Sequence, residues 1–187
     1  MKNVLIVSGH PNLKTSIANQ VILDETAKAF PNAEIRKLDE LFHNGTFDIA
    51  AEQAAVLKAD VLVFQFPFSW FSLPGVMKIW LDEVFEHGFA HGSTAKLGGK
   101  KIIFSTTTGA PTELYQKDGF FKHTMEEFAA QFEITAQLCN LDYQGLIYTN
   151  GIGYTSRENE EKINAQKAEA KKHAQRLVVL IESLSQA

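Results

Sequence analysis

Three short stretches of the chain gather residues able to hold a flat, phosphate-bearing molecule. In Gln65-Phe66-Pro67-Phe68-Ser69-Trp70-Phe71-Ser72-Leu73-Pro74, aromatic rings crowd the place where the apolar run Val61-Leu62-Val63-Phe64 gives out. Flat rings and free backbone amides at such a point suit a conjugated cofactor. Aromatic side chains mostly fill cores, but Trp70 and Phe71 lie in a loop between Pro67 and Pro74, where conventional burial is difficult. The second stretch runs from Ser8 through Gly9, His10 and Pro11 to Thr15-Ser16-Ile17-Ala18-Asn19. Backbone N–H groups opening the next helix, the hydroxyls of Thr15 and Ser16 and the amide of Asn19 make a neutral phosphate cradle. His10 adds a donor or a charge. The third is Ser105-Thr106-Thr107-Thr108-Gly109-Ala110-Pro111. Gly109 lets the backbone approach a ligand, and the neighbouring hydroxyl and N–H groups suit the polar edge of a conjugated ring. Taken singly, the last two read equally as a capped helix with a loop histidine and as an ordinary turn. Their coincidence with the aromatic loop at one end of one sheet gives them weight.

That coincidence depends on alternating strands and helices. Val4 to Ser8, Ala33 to Leu38, Val61 to Phe66, Lys101 to Thr106 and Leu146 to Thr149 read as five strands, the second polar enough (Arg36, Lys37) for a sheet edge. Between them lie a helix Ser16 to Ala29 capped by Ser16, a short helix capped by Asp48, a helix after Pro74 and a helix Phe121 to Leu138. In the helix after Pro74, Met77, Trp80, Leu81, Val84 and Phe85 share one face. A closing helix begins near Ser156, with Thr155 and Glu158 as a capping box and Ala174, Leu177, Val178 and Ile181 facing inward. The pattern predicts an α/β fold: a doubly wound five-stranded parallel sheet of order 2-1-3-4-5 with helices on both faces. Its switch point lies between strands one and three, so the loops after Ser8 and Phe66 flank the ligand crevice.

Length and composition set bounds. With 187 residues and 45% hydrophobic content, a single domain spanning 1–187 is expected. A net charge of −4 argues against a nucleic-acid partner, which demands a concentrated basic face. Lone Cys139 beside Leu138 and Leu141 reads as a buried small hydrophobe. The N-terminal apolar run is too short for a signal peptide, and no segment approaches the roughly 20 residues that span a bilayer, so the expected location is cytoplasmic and a membrane role needs a partner. Gly98-Gly99-Lys100 precedes a strand without the upstream glycine of a Walker loop, and Gly151-Ile152-Gly153 lacks a third glycine, which disfavours NTPases and dinucleotide-binding Rossmann folds. His87 and His91 lie four apart, but Gly88 and Gly92 interrupt the segment, and no zinc site is expected. His43 and His173 read as surface residues, and Lys167 to Lys172 as a solvated helix face.

Several motifs resemble one family in combination: His10 with Ser16-Ile17-Ala18-Asn19, Asp48-Ile49-Ala50-Ala51-Glu52-Gln53, the Gln65 to Pro74 loop, His87-Gly88-Phe89-Ala90-His91-Gly92, and Thr107-Thr108-Gly109. The chain resembles, over nearly its whole length, the flavodoxin-like NAD(P)H:quinone oxidoreductases (flavodoxin-2 type), including the ancillary flavoproteins of glutathione-gated potassium efflux systems. The resemblance implies bound FMN or FAD, NADH or NADPH as donor, and a homodimer. It implies that His10 and residues 16–19 hold the flavin phosphate, that Pro67, Phe68, Ser69, Trp70 and Phe71 border the ring, and that Thr107, Thr108, Gly109 and Ala110 meet its polar edge. Two positions depart from the family pattern. Ala110 stands where a second glycine is common. Tyr115 matches a tyrosine beside the flavin, but the histidine expected six residues later is Phe121, and His123 falls two positions late, so no Tyr/His relay is assigned and Tyr115 remains a site candidate.

The leading expectation is a two-electron reductase of quinones or similar electrophiles working by a ping-pong exchange, with Trp70, Phe71 and Tyr115 at the substrate face. Its rival is a regulatory subunit docked to a potassium efflux transporter; an electron carrier is a third, weaker option. Apolar residues in Phe85 to His91 and at Phe120, Phe121, Met125 and Phe128 exceed what one sheet face covers, so a two-fold dimer is expected, with Phe89 and His91 approaching the partner's flavin.

Overall fold

The computed structural model describes residues 2–153 and 159–186, with side chains to 184. Strands β1 (Val4–Ser8), β2 (Glu34–Lys37), β3 (Val61–Pro67), β4 (Lys101–Thr107) and β5 (Asp142–Thr149) form one parallel sheet ordered β2-β1-β3-β4-β5. The central strands β1, β3 and β4 are almost wholly buried, as continuous apolar runs covered on both faces must be. One face carries Leu5, Val7, Leu62, Phe64 and Phe104 against α3 (Ile49–Lys58), α4 (Gly75–Val84) and α5 (Met125–Leu138). The other packs Val4, Ile6, Val63 and Ile103 against α1 (Ala18–Ala29) and α6 (Glu160–Gln186). A four-residue α2 (Leu38–Leu41) follows β2.

Polar edge strand β2 is anchored by a buried charge. Glu52 on α3 is 1% exposed and accepts a forked pair of hydrogen bonds from Arg36 of β2. Its other oxygen accepts from the indole N–H of Trp80 on α4 at 2.9 Å. The carboxylate holds the guanidinium's pKa above its ordinary value, opposed by partial burial. A buried ion left alone costs several kcal/mol, about 3–5 when one partner is deleted, so this triangle ties β2, α3 and α4 into one unit. Neighbouring motif residues do similar structural work: Asp48 accepts from the N–H of Ala51, and Gln53 donates to the Val84 carbonyl at 3.1 Å.

Several boundaries differ from the sequence reading. α5 opens at Met125, not Phe121, because Lys122 sits at φ +58°, a conformation no right-handed helix accepts, and because Thr124 and Glu127 close a capping box. β5 begins four residues before Leu146, its early part disguised by Gly145 at φ +111° and a register shift against Ile102/Phe104. β2 is shorter by one residue at each end. α1 starts at Ala18, with the Ser16 hydroxyl still accepting from the Asn19 N–H at 3.0 Å. The Thr155/Glu158 box lies outside the described residues. Cys139 is buried, and burial pushes its thiol pKa up.

His173 is the clearest correction. It is fully buried, with Nε2 2.8 Å from the Ser105 hydroxyl of β4 and Nδ1 2.9 Å from the Thr149 hydroxyl of β5, and so pins α6 to the sheet. The alternation of charged residues around it on α6 concealed this inward position. Burial, then the nearby Arg176 charge, lowers its pKa to about 3. The folded value is depressed below the ordinary His value of about 6.5, so the stability tied to neutral His173 is fully present above pH 6.5 and is lost as pH falls from there toward 3. At about 1.4 kcal/mol per pH unit at most, that loss reaches several kcal/mol. In urea melts at stepped pH, His173→Gln should be clearly less stable than wild type at pH 7, and the gap should close between pH 6.5 and 4. A pH-independent gap would show that His173 does not titrate with folding.

Candidate functional site

Because β1 and β3 are neighbours whose following helices leave to opposite faces, a crevice opens above their carboxyl ends. A recess there is lined by His10, Ser16, Ile17, Ala18 and Asn19 from the β1–α1 connection, Pro67, Phe68 and Ser69 after β3, and Thr107 and Gly109 after β4. Ten of the sequence-derived candidates thus meet in one place. Ile152, Gly153 and Gln166 complete it. These three were missed because no local pattern marks them; Gln166 reaches in from α6 and donates to the Gly153 carbonyl at 3.0 Å.

The recess offers donors and almost no charge. Among the described residues, the N–H groups of Ile17, Ala18, Gly109 and Ala110 have no protein acceptor. The first two belong to the opening of α1, where unpaired donors and the helix dipole favour an anion. His10 is 4% exposed; its Nδ1 accepts the Asn12 N–H at 3.1 Å, so in the neutral ring the proton resides on Nε2. The cavity measures about 80 Å³, well below the roughly 300 Å³ at which pockets begin to enclose whole drug-sized ligands. It can take a phosphate-sized group while a conjugated ring lies outside it. Gly9 is needed below: a Cβ there would stand 2.5 Å from Met77 Sδ of α4. Gly109 is different, since its Cβ would meet nothing nearer than the Ile152 oxygen at 3.8 Å. The protein itself leaves that space open.

Other candidates are placed around the recess. The Thr15 hydroxyl turns back to the Asn12 carbonyl at 2.9 Å. Thr108 bonds the Ala110 carbonyl at 2.9 Å and Asn150 at 3.1 Å, and the Ala110 carbonyl also receives the Gly151 N–H, so the loop's shape is fixed before any ligand arrives. Tyr115 is 5% exposed; burial raises its phenol pKa, opposed by a hydrogen bond with Thr108, which leaves it protonated at neutral pH. Phe71 stacks on Phe128 at 5.5 Å and 17° and meets Phe121 and Phe68 edge-on. Tyr115 meets the same Phe121 and Phe128. The result is a continuous aromatic wall in which Phe71 is packed on its flank as well as presented. Phe89, expected near a partner's site, is instead 4% exposed in its own core.

The tip of this wall is strained. Ser69 and Ser72 exchange two backbone hydrogen bonds of 3.0 Å across Trp70 and Phe71, which sit at φ +49° and +64°. Two consecutive positive φ values define a type I′ hairpin, a turn that prefers Asn-Gly. The chain has such a turn elsewhere: His43 and Thr46 bridge over Asn44-Gly45. Bulky residues in this conformation persist where the site needs them. Trp70 is 93% exposed.

Comparison with known proteins bears on the fold and the family. The family described as Flavodoxin-like fold (Flavodoxin_2) matches residues 2–174. The chain is 38% identical over 144 residues to the glutathione-regulated potassium-efflux system ancillary protein KefF of Enterobacter sp. (strain 638), covering 75% of this chain and 78% of that relative. General stress protein 14 of Treponema denticola, solved in complex with FMN, is 32% identical, with 91% of this chain and 99% of that one covered and a TM-score of 0.76. A structure described as a thermophilic tryptophan halogenase from Streptomycin violaceusniger is 28% identical, covers 90% and 96%, and has a TM-score of 0.78. An NADPH-quinone reductase of P. pentosaceus, 24% identical with a TM-score of 0.71 over 93% and 98%, is a likeness of fold alone.

Replacing Trp70 with asparagine gives up little buried area and places a left-handed-tolerant residue in the turn, so stability should rise by about 1 kcal/mol. The urea midpoint should move up at constant slope. A midpoint that falls would show the hairpin to be unstrained.

Proposed function

The chain belongs to the Flavodoxin-like fold family (Flavodoxin_2), and from that premise we propose that it is a single-domain flavoprotein oxidoreductase that holds FMN and passes hydride equivalents from NADH or NADPH to a quinone-like acceptor. The observation that carries this reading is the pairing of a small, neutral, donor-lined recess with an aromatic wall beside it. FMN is favoured over FAD because the recess suits a terminal phosphate and because a relative at 32% identity was solved with FMN. Bound FMN supplies a hydride acceptor toward the nicotinamide and a hydride donor toward the second substrate.

The protein's own part is binding and orientation. Ile17 and Ala18 N–H groups, with Ser16, Asn19 and His10, would hold the phosphate; Gly109 and Ala110 N–H groups and the Thr107 hydroxyl would serve the polar ring edge and stabilise negative charge there electrostatically. Pro67, Phe68 and Phe71 would bound the ring, and Trp70 at the tip would orient a planar substrate. Donor and acceptor use this surface in turn, which is the structural meaning of a ping-pong exchange. Protonated Tyr115, buried beside Thr108, would be a candidate donor next to this loop. Trp70 and Phe120, 93% and 79% exposed, favour a homodimer whose two-fold covers them near the site. The expected location is cytoplasmic; no helix of the described residues is long and apolar enough to cross a membrane.

The likeness to KefF favours a second reading, a regulatory subunit of a potassium efflux transporter. The two readings are tested together. Purified protein should be yellow, bleach anaerobically with NADH or NADPH, and regain colour with a quinone. Trp70→Ala should retain FMN and stability while quinone turnover falls at least about tenfold, as expected for lost orientation. Flavin-loaded wild type that reduces no quinone with either nicotinamide would end the enzyme reading, and efflux control that survives in Trp70→Ala cells would support the regulatory one.

A further inference from the structure

On the α1/α6 side of the sheet, the row nearest the recess is polar where the rows below are apolar. Ser8, Gln65 and Ser105 are register partners on β1, β3 and β4, at most 1% exposed, directly above Ile6, Val63 and Ile103. Gln65 does not line the recess, but Nε2 donates to Asn19 Oδ1 at 2.5 Å, and Asn19 Nδ2 donates to Thr107 Oγ1 at 3.1 Å. Asn19 and Thr107 both line it. Among the described residues, Gln65 Oε1 and the Ser8 hydroxyl are buried with no partner. An unpaired buried acceptor weakens folding, and a leucine at position 65 would only move it, since Asn19 Oδ1 would then lose its donor. What the glutamine supplies in place of an apolar residue is the N–H that Asn19 accepts.

We propose that Gln65 is a positioning residue that fixes the hydrogen-bonding direction of the recess. By giving its N–H to Asn19, it turns the Asn19 amide so that one N–H goes to Thr107 and the other remains for the ligand. Thr107, already accepting, then keeps its own hydroxyl proton for an acceptor in the recess. The phosphate end, at Asn19, and the ring-edge end, at Thr107, are thereby set by one buried side chain that does not itself line the recess. The inference rests on the flavin reading above.

The test is a double-mutant cycle read by FMN affinity and by melting of the apoprotein. Gln65→Leu should raise the FMN Kd about tenfold, or about 1.4 kcal/mol, while the apoprotein, which exchanges the orphaned Gln65 oxygen for an orphaned Asn19 oxygen, still melts in one cooperative transition. In an Asn19→Ala background the same change should alter Kd by less than about twofold, because the side chain through which it acts is gone. Gln65→Met, of similar length, repeats the comparison should leucine pack poorly. An unchanged Kd in the single variants, or a tenfold loss that persists without Asn19, would each overturn the assignment. Wild-type protein that binds no FMN would be seen before any substitution and would overturn the flavin reading together with this one.

Discussion

The site depends on one topological constraint: five strands run parallel, and the chain reverses its direction of winding between β1 and β3. Parallel strands deliver all their carboxyl ends to one side, and crossovers of fixed hand send α1 and α4 to opposite faces. A gap above β1 and β3 follows from the geometry alone. What fills it is set by the three connections that end there, which is why a helix opening, an aromatic hairpin and a Thr/Gly loop, remote in sequence, line one recess. The buried Glu52–Arg36–Trp80 contact serves the same constraint from a distance, since it holds the polar strand β2 against β1 and so keeps the reversal point internal.

Elements with strong periodicity were legible in the sequence. The runs at Val61–Phe64 and Ile102–Phe104 could only be buried strands, and the Met77/Trp80/Val84 stripe could only face a core; strand order then followed from placing polar Glu34–Lys37 at the edge. Illegible parts have physical reasons. Gly145 and its register shift hid the first half of β5, and Lys122 in a left-handed conformation moved the start of α5. His173 looked superficial because its neighbours Lys171 and Lys172 are exposed, although one helical position turns inward to meet Ser105 and Thr149. Local pattern cannot reveal a partner 68 residues away. Gln166, Ile152 and Gly153 entered the recess by tertiary arrangement in the same manner.

The loops that carry the site are held by their own hydrogen bonds before a ligand arrives, which leaves the recess donors free. Thr108, Ala110, Asn150 and Gly151 tie the third loop to the end of β5, and Asn12 engages His10. Such preorganisation leaves few groups to immobilise on binding and aims their dipoles at one place. It also separates two kinds of motif residue. Asp48, Glu52 and Gln53, which carry much of the family likeness, act here on helix capping and packing, so likeness at those positions speaks for fold more than for chemistry.

The two tryptophans of this chain occupy opposite extremes. Trp80 is sealed, its indole N–H held by Glu52 and its ring edge-on to Phe64 at 5.5 Å, whereas Trp70 stands in solvent at the tip of its hairpin. Their emission is therefore separable: a blue component reports the integrity of the core and a red, quencher-accessible one reports events at the mouth of the recess. The protein carries a two-channel optical readout in which unfolding and occupancy leave different signatures without any added label.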